Sequence, residues 1–498
     1  MESLIKNKQM KNLLFLALFT ILGSTACHLD TKTNKVSKKP TDKPKNVLFI
    51  AVDDLKPLLG CYDTPLIKTP NIDKLASQGY VFKNNHCQQA VCGPSRASIL
   101  TGKRPDYTKI WNLKTLIRDK NPDIVTMPQY FKQLGYQTAA VGKIFDYRSV
   151  DELNDSLSWS YKYDNFKHHT DIGKEYIKSK ERVSMEITNV PDSMTADGEV
   201  VRRSVKYLKK FAKEDKPFFM AVGFYKPHLP FVVPQKYWDL YRDEDIKLPP
   251  YRKAPVGAPK YATQPSWELR GGYADIPKDY NVEIPVQKQL DLIHGYYACV
   301  SFIDQQIGRV LDELDKLGLR ESTVIVLWGD HGWHLGDHDM FCKHTNYEQA
   351  TRSPLIFSTF KGKTGSTDSP TEFVDVYPTL CDLSGIKTPQ DLDGKSLVPL
   401  IDGKVQKIKD YAVSQFPREG NKMGYAFRDE RYRYVIWVKN HFNSEKHFDD
   451  SLVDAEELYD YNVDPLETKN LISENKYLKT ASKFRKTAKD FFKKFEKK

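Results

Sequence analysis

Cys92-Gly93-Pro94-Ser95-Arg96 is the densest chemical signal in this sequence. Proline suits the first turn of a helix. Cys92 and Arg96 then lie one helical turn apart on one face. The plain interpretation is a buried cysteine ahead of a short helix that ends at Thr101-Gly102. Two acidic pairs add to it. Asp53-Asp54 closes the apolar, β-branched run 46–52, and Asp330-His331 follows a second such run at 322–328. One pair alone would be a strand-end turn. Two pairs together with a candidate nucleophile point to a metal site, and oxygen-rich sites suit Ca²⁺ or Mg²⁺.

Three cationic positions complete the set: Lys143 in Val141-Gly142-Lys143-Ile144-Phe145-Asp146, His228 in Lys226-Pro227-His228, and Lys343 in Phe341-Cys342-Lys343-His344. Any one of them alone would be a surface or packing residue. In this order, with Cys92-Gly93-Pro94-Ser95-Arg96, they resemble the type I sulfatase family, closest to its iduronate-2-sulfatase-like branch. Further matching segments are Tyr296–Asp304, 331–336, 432–437 and 457–465.

The resemblance implies that a maturation enzyme oxidises Cys92 to formylglycine (3-oxoalanine). The hydrated aldehyde is a geminal diol. One hydroxyl attacks sulfur and the other later expels sulfate, where a serine would be left with a stable ester. The resemblance also implies that Asp53, Asp54, Asp330 and His331, with the modified Cys92, hold one Ca²⁺. Arg96 would hold the diol, Lys143 and Lys343 the sulfate oxygens, and His228 would protonate the leaving oxygen. Trp333 and the Pro-rich stretch 227–285 are expected to wall a sugar pocket.

One position departs from the pattern. The branch carries a histidine three residues after its Gly-Lys, and this chain has Asp146. An ionised Asp146 would accept from a diol hydroxyl and act as its base. It would also pair with Lys143 if that segment is a helical turn. The alternative is that it points to solvent.

The expected activity is hydrolysis of sulfate esters on a sulfated, uronate-containing polysaccharide or oligosaccharide, glycosaminoglycan-like or algal such as ulvan, acting from chain ends. Two rivals remain. One is a phosphate or phosphonate ester hydrolase of the alkaline-phosphatase superfamily: the phosphatases typically use serine or threonine, whereas a phosphonate monoester hydrolase also uses formylglycine. The other is an inactive, lipid-anchored protein that binds sulfated glycans.

These residues need a frame that brings distant segments together. Continuous apolar runs at 46–52, 217–223 and 322–328 read as buried parallel strands. Helical patterns at 71–78, 127–134, 200–211 and 286–317 alternate with them. Alternation of this kind predicts an α/β fold of the alkaline-phosphatase-like sulfatase type, with a large, mostly parallel sheet flanked by helices. Ligands then bind beyond the carboxyl ends of the strands. The stretch 227–285 reads as a long surface insertion. Short strands at 411–416, 425–428 and 432–438 predict a smaller antiparallel subdomain.

The domain reading is therefore an export signal over 1–27, a tether over 28–45, a catalytic domain over 46–390 and a C-terminal subdomain over 391–498. The apolar run 13–22 follows Lys6, Lys8 and Lys11 and is too short to span a bilayer. It ends before Cys27, a candidate lipidation site in a lipoprotein-like cleavage motif. The expected location is the periplasm, or anchorage by lipid to the outer membrane or cell surface.

Of the formal charge of +11, +6 sits in residues 1–46 and +8 in 476–498, which leaves 47–475 at −3. A basic balance confined to the tails argues against nucleic acid as a partner. Tyr477, Ala481, Phe484, Ala488, Phe491 and Phe495 recur at helical spacing in the basic tail, predicting an amphipathic helix packed on the body. The seven cysteines show no metal-knuckle spacing, and their low density leaves the core rather than disulfides to hold the fold.

Overall fold

Asn46–Val52 is buried at every position and lies inside the main sheet. Leu48, Ile50 and Val52 enter one core, while Val47, Phe49 and Ala51 enter the other. A strand covered on both faces must be apolar throughout, which explains the unbroken run. The computed structural model describes residues 45–163, 181–439 and 448–496. Its main sheet has seven strands in the order Gly365–Thr367, Tyr80–Phe82, Leu355–Ser358, Thr323–Gly329, Asn46–Val52, Phe218–Phe224 and Gln137–Gly142. The last four are mutually parallel. Leu355–Ser358 runs antiparallel to both its neighbours, so the sheet is mixed with a parallel centre.

Helices Pro70–Ser77, Ala196–Phe211 and Val286–Lys316 cover one face. Helices Cys92–Thr101, Met127–Gln133 and Val376–Leu383 cover the other. Register then sets where function falls. Val52 is level with Phe224 and Gly329, so Asp53, Tyr225 and Asp330 leave the sheet at one height. Gly142 pairs with Gly223, so Lys143 emerges one step below them. That approach is close: a Cβ on Gly223 would lie 2.1 Å from the Lys143 carbonyl oxygen. Gly142 itself has φ +73°, which a side chain would resist.

The C-terminal sheet is antiparallel, in the order Ala412–Arg418, Lys422–Arg428, Tyr432–Lys439 and Val453–Asp460. The fourth strand was not expected. It lies at the sheet edge and carries Asp454 and Glu456, so its half-exposed pattern hides the strand period. Leu478–Glu496 packs on this sheet through Ala481, Phe484, Ala488 and Phe491. The side chain of Phe495 lies outside the described residues, as do residues 1–44 with the export signal, Cys27 and the tether. Leu397, Leu400 and Ile401 still belong to the main core.

The stretch 227–285 is more than a surface insertion. Leu229, Phe231, Val233, Tyr237, Tyr241 and Ile246 are buried in the main core, and Phe231–Pro234 pairs in parallel with Met185–Thr188. Its proline content reflects irregular backbone, not exposure. Cys61, Cys87, Cys92, Cys299, Cys342 and Cys381 are all free thiols.

Phe484 is 5% exposed and stacks on Tyr434 with ring centroids 5.6 Å apart. Phe484→Ala is expected to cost about 3–5 kcal/mol through lost transfer energy and a residual cavity. Urea unfolding should show this as a lower midpoint. An unchanged midpoint would mean that the helix contributes little to the fold.

Candidate active site

Asp53 and Asp54 begin where the central strand ends. The Asp53 amide donates to the Phe224 carbonyl at 3.1 Å and the Asp330 amide to the Val52 carbonyl at 3.2 Å, so ladder bonding continues one residue past the strands. Asp54 then turns back with φ +58°, a left-handed conformation tolerated by aspartate. Its amide donates to Asp330 Oδ1 at 2.9 Å, and its carbonyl accepts from the Tyr296 hydroxyl at 2.7 Å. The turn is thereby fixed by both the neighbouring strand and the long helix Val286–Lys316.

Cys92 opens the helix Cys92–Thr101, in which all ten residues are buried. Its Sγ lies 3.7 Å from Asp53 Oδ1, 3.9 Å from Asp54 Oδ1 and 3.5 Å from His331 Nε2. Nδ1 of His331 lies 2.9 Å from the Gly332 carbonyl, which directs Nε2 into the cluster, 3.2 Å from Asp54 and 3.5 Å from Asp330. One ligand atom each from Asp54, Cys92, Asp330 and His331 falls within 4.8 Å of the others, and Asp53 joins Asp54 and Cys92 in an overlapping group. Three hard carboxylates plus an imidazole with an anchored second nitrogen suit a divalent cation.

Charges around this cluster are heavily paired. Burial would raise the Asp53 carboxyl, but the Lys143 ammonium and Arg96 guanidinium outweigh it and hold it well below the usual range. Burial wins at Asp54, whose pKa is raised despite His228, Lys343 and His331. Burial likewise pushes the Cys92 thiol well up, against Lys143 and Lys343.

The three expected cations all reach the site. Lys143 Nζ donates to Asp53 Oδ2 at 2.7 Å. Lys343 Nζ donates to both Asp54 oxygens at 3.0 Å. His228 Nδ1 lies 2.7 Å from the Leu229 carbonyl, which leaves Nε2 to face Glu268 at 3.2 Å and Asp54 at 3.7 Å.

Arg96 is tied to the carboxylates and to the backbone around the site. Its Nε donates to Asp330 Oδ2 and one Nη to Asp53 Oδ1, both at 2.9 Å, while the other Nη reaches the carbonyls of Lys143 and Ile144. The guanidinium thereby fixes the two carboxylates to the frame.

One further expectation is corrected, and one alternative is excluded. Trp333 is 1% exposed and does not line the pocket. It stacks between Tyr296 and Lys343, whose Nζ sits 4.8 Å from its ring centroid. The ring supports the ammonium and contacts no sugar. Asp146 is also buried and does not point to solvent. Residues 143–149 form bends and a turn, not a helix. Arg148 occupies both Asp146 oxygens at 2.8–3.0 Å, and Lys143 stands 3.9 Å away. Asp146 thus pairs with Lys143, as expected, and with Arg148.

Sequence reasoning missed Glu268 and Arg148. Glu268 Oε2 pairs with Lys343 at 2.9 Å and Oε1 faces His228, so one carboxylate links two candidate substrate-side groups. It lies in the stretch 227–285, on the short helix Trp267–Gly272, which no motif in the sequence marked. A cavity of about 1440 Å³ opens above Cys92, lined by Lys143, Arg148, His228, Trp267, Glu268 and Lys343 among others.

Strand-end carboxylates around a buried cysteine, in a mixed α/β sheet with a second antiparallel sheet, fit a hydrolase of the alkaline-phosphatase-like type. Comparison with known proteins narrows this class. Residues 45–386 match the family described as Sulfatase, and 336–494 match the C-terminal region of N-sulphoglucosamine sulphohydrolase. The chain is 34% identical to iduronate 2-sulfatase of Homo sapiens, across 93% of this chain and 97% of that one. It shares its fold with BT4656, solved with its substrate D-glucosamine-2-N,6-O-disulfate, at TM-score 0.70 and 23% identity over 91% of this chain and 99% of the other. The phosphonate monoester hydrolase of Agrobacterium radiobacter also shares the fold, at TM-score 0.73 and 20% identity over 91% and 96%. This chain belongs to the sulfatase family, in the iduronate-2-sulfatase-like branch, and is a sulfuric ester hydrolase.

Arg96→Ala would leave Asp53 and Asp330 buried without their shared partner. We expect a loss of about 3–5 kcal/mol of stability, as when one member of a buried ion pair is removed. Chemical denaturation measures it, and wild-type stability in the variant would show that the two carboxylates are held by something else.

Proposed function

We propose that this protein removes sulfate from a sulfated, uronate-containing oligosaccharide or polysaccharide, through formylglycine at position 92 and one Ca²⁺. The observation that carries the reading is the gathering of Cys92, Asp53, Asp54, Asp330 and His331 at the base of one cavity that also presents Lys143, His228 and Lys343. The named relatives support a saccharide substrate, since one is an iduronate sulfatase and another was solved with a sulfated glucosamine. The polymer is glycosaminoglycan-like or algal, such as ulvan.

Asp53, Asp54, Asp330 and His331 would hold the cation, which supplies charge neutralisation at the sulfate and lowers the pKa of a coordinated hydroxyl. Formylglycine at position 92 would supply, as its hydrate, an attacking hydroxyl and a second hydroxyl through which sulfate can be released. The chain's own groups do the rest. Lys143 and Lys343 bind the equatorial sulfate oxygens, where charge shifts in the transition state. His228, anchored through Nδ1, offers the Nε2 proton to the leaving sugar oxygen. Burial disfavours its imidazolium, but Asp54, Asp53 and Glu268 outweigh it and raise its pKa. Glu268 orients that ring and Lys343 together.

A phosphonate monoester hydrolase remains the second reading, on the shared fold alone. An inactive binding protein is disfavoured, since every proposed metal and nucleophile position is filled by a competent residue. The walls contributed by residues 228–232 and 267–273 favour a pocket that admits chain ends. Residues 1–27 act as an export signal in this reading, with Cys27 lipidated and the enzyme periplasmic or surface-anchored, supported by the apolar run 13–22.

Mass spectrometry of the peptide containing Cys92 is expected to show formylglycine when the protein is made with a maturation enzyme. Cys92→Ala should abolish turnover. Full activity of a protein carrying the unmodified thiol would sink the mechanism. Asp54→Ala and Asp330→Ala should lose bound metal, measured by elemental analysis at one ion per chain in the wild type, together with sulfate release. Turnover that survives exhaustive chelation would be the contrary result. Digesting the polymer with a lyase first should raise sulfate release sharply, whereas equal rates on intact chains would indicate an open cleft.

A further inference from the structure

We propose that Arg148 recognises a second anionic group on the substrate, a carboxylate or further sulfate near the scissile ester. The inference rests on the sulfated-glycan reading above and adds the group that selects among such glycans.

The scissile sulfate already has its own cations in Lys143, Lys343 and His228. Arg148 lines the same cavity as Cys92 but makes no ion pair with the carboxylate cluster. Its one anionic partner is Asp146, which is fully buried. Asp146 Oδ1 accepts from the Arg148 amide at 3.0 Å and from its Nε at 2.9 Å, and Oδ2 accepts from Nη2 at 2.8 Å. The Ser149 amide closes the turn on the Asp146 carbonyl at 2.9 Å. This bidentate clamp fixes the guanidinium plane before any ligand arrives. It engages only one edge of the fork. Nη1 has no hydrogen-bond partner among the described residues, and the side chain is 38% exposed.

Its surroundings fit an anion on a sugar. The guanidinium lies 5.2 Å from the ring centroid of Tyr147, which is 67% exposed. Asp151, also on the cavity wall, directs its oxygens to the amides of Leu153, Asp155 and Ser156. Other cations of the cavity are engaged elsewhere. Lys226 Nζ donates to the carbonyls of His228 and Pro230, and Arg182 packs over Tyr273 and donates to its hydroxyl. A cavity of about 1440 Å³ exceeds what a sulfate group needs and leaves room for a sugar bearing another charge. A guanidinium with one edge clamped and one edge free is suited to bind a planar carboxylate or a sulfate on the free edge.

The test uses three oligosaccharides that share the scissile ester: one with an adjacent carboxylate, its carboxyl-reduced counterpart, and one with a second sulfate instead. The readout is the ratio of kcat/KM for each charged substrate to that for the neutral one. The wild type should prefer at least one charged substrate, and which one identifies the anion. Arg148→Gln should reduce that preference about tenfold to a hundredfold, the range for a lost hydrogen bond to a charged group. The loss should fall mainly in KM, because the second anion is bound equally in ground and transition states. Arg148→Lys should retain part of the preference, and Asp146→Asn should weaken it by loosening the clamp. An unchanged ratio in Arg148→Gln, in protein that melts as the wild type does, overturns the proposal while leaving the glycan reading intact. Failure of the wild type on all three, with turnover of an aryl sulfate, would overturn both.

Discussion

The buried guanidinium of Arg96 is the constraint on which the site depends. Asp53 and Asp330 project from adjacent parallel strands whose register holds them at one height. Asp54 adds a third carboxylate beside them. Like charges gathered in a buried setting repel and lose hydration, so the arrangement needs compensation built into the chain. Arg96 supplies it from the helix that begins with Cys92, joining Asp53, Asp330 and the backbone of residues 143–144. One side chain thus ties together the nucleophile helix, two central strands and the segment carrying Lys143. Its own surface is covered by Trp328, with the guanidinium carbon 5.6 Å from the ring centroid.

The other half of the site is held from the C-terminal sheet. Lys343 and His344 leave the short strand Phe341–Cys342, and the His344 carbonyl accepts from Arg418 at 2.7 Å. The same guanidinium bonds to the carbonyls of Tyr261 and Ala262, just ahead of Trp267 and Glu268. It has no carboxylate partner among these contacts and sits among Phe416, Trp267 and Trp437. Burial lowers its pKa to about 10, still well above neutrality, so it remains a cation whose donors are all directed at backbone oxygens. The second sheet therefore braces the loop that presents Lys343 and the segment that presents Glu268.

What the sequence disclosed follows from how each feature is encoded. Parallel strands buried on both faces are written as unbroken apolar runs, so Asn46–Val52 and Thr323–Gly329 were legible, and with them the carboxylates at their ends. Cys92 was legible because its neighbours form a dense motif. Arg96 was correctly placed on the helix, but its partners were not, since sequence spacing gives the face of a helix and not what that face meets. Trp333 misled because an aromatic near a site is equally able to support a lysine from behind. Glu268 was hidden because the helix that carries it, Trp267–Gly272, is too short to show a period. Asp146 was visible as a departure from the family pattern, yet its meaning lay in Arg148 two residues on, through a turn that no helical spacing describes.

Pairing before substrate arrives also shapes catalysis. Lys143 and Lys343 are each bonded to a site carboxylate, so their positions are set and their water largely removed during folding. Their long side chains would otherwise lose rotamer freedom at the moment of binding. A sulfate bound as proposed would meet cations already in place, which is the physical content of preorganisation. The same carboxylates temper the attraction. Glu268 shares Lys343 with Asp54, so the ammonium does not act on the anion with its full, unshielded charge. A site lined only by cations would bind inorganic sulfate tightly and release it slowly. Acids and bases interleaved at hydrogen-bonding distance favour the charge that shifts during the reaction over the static charge of the product.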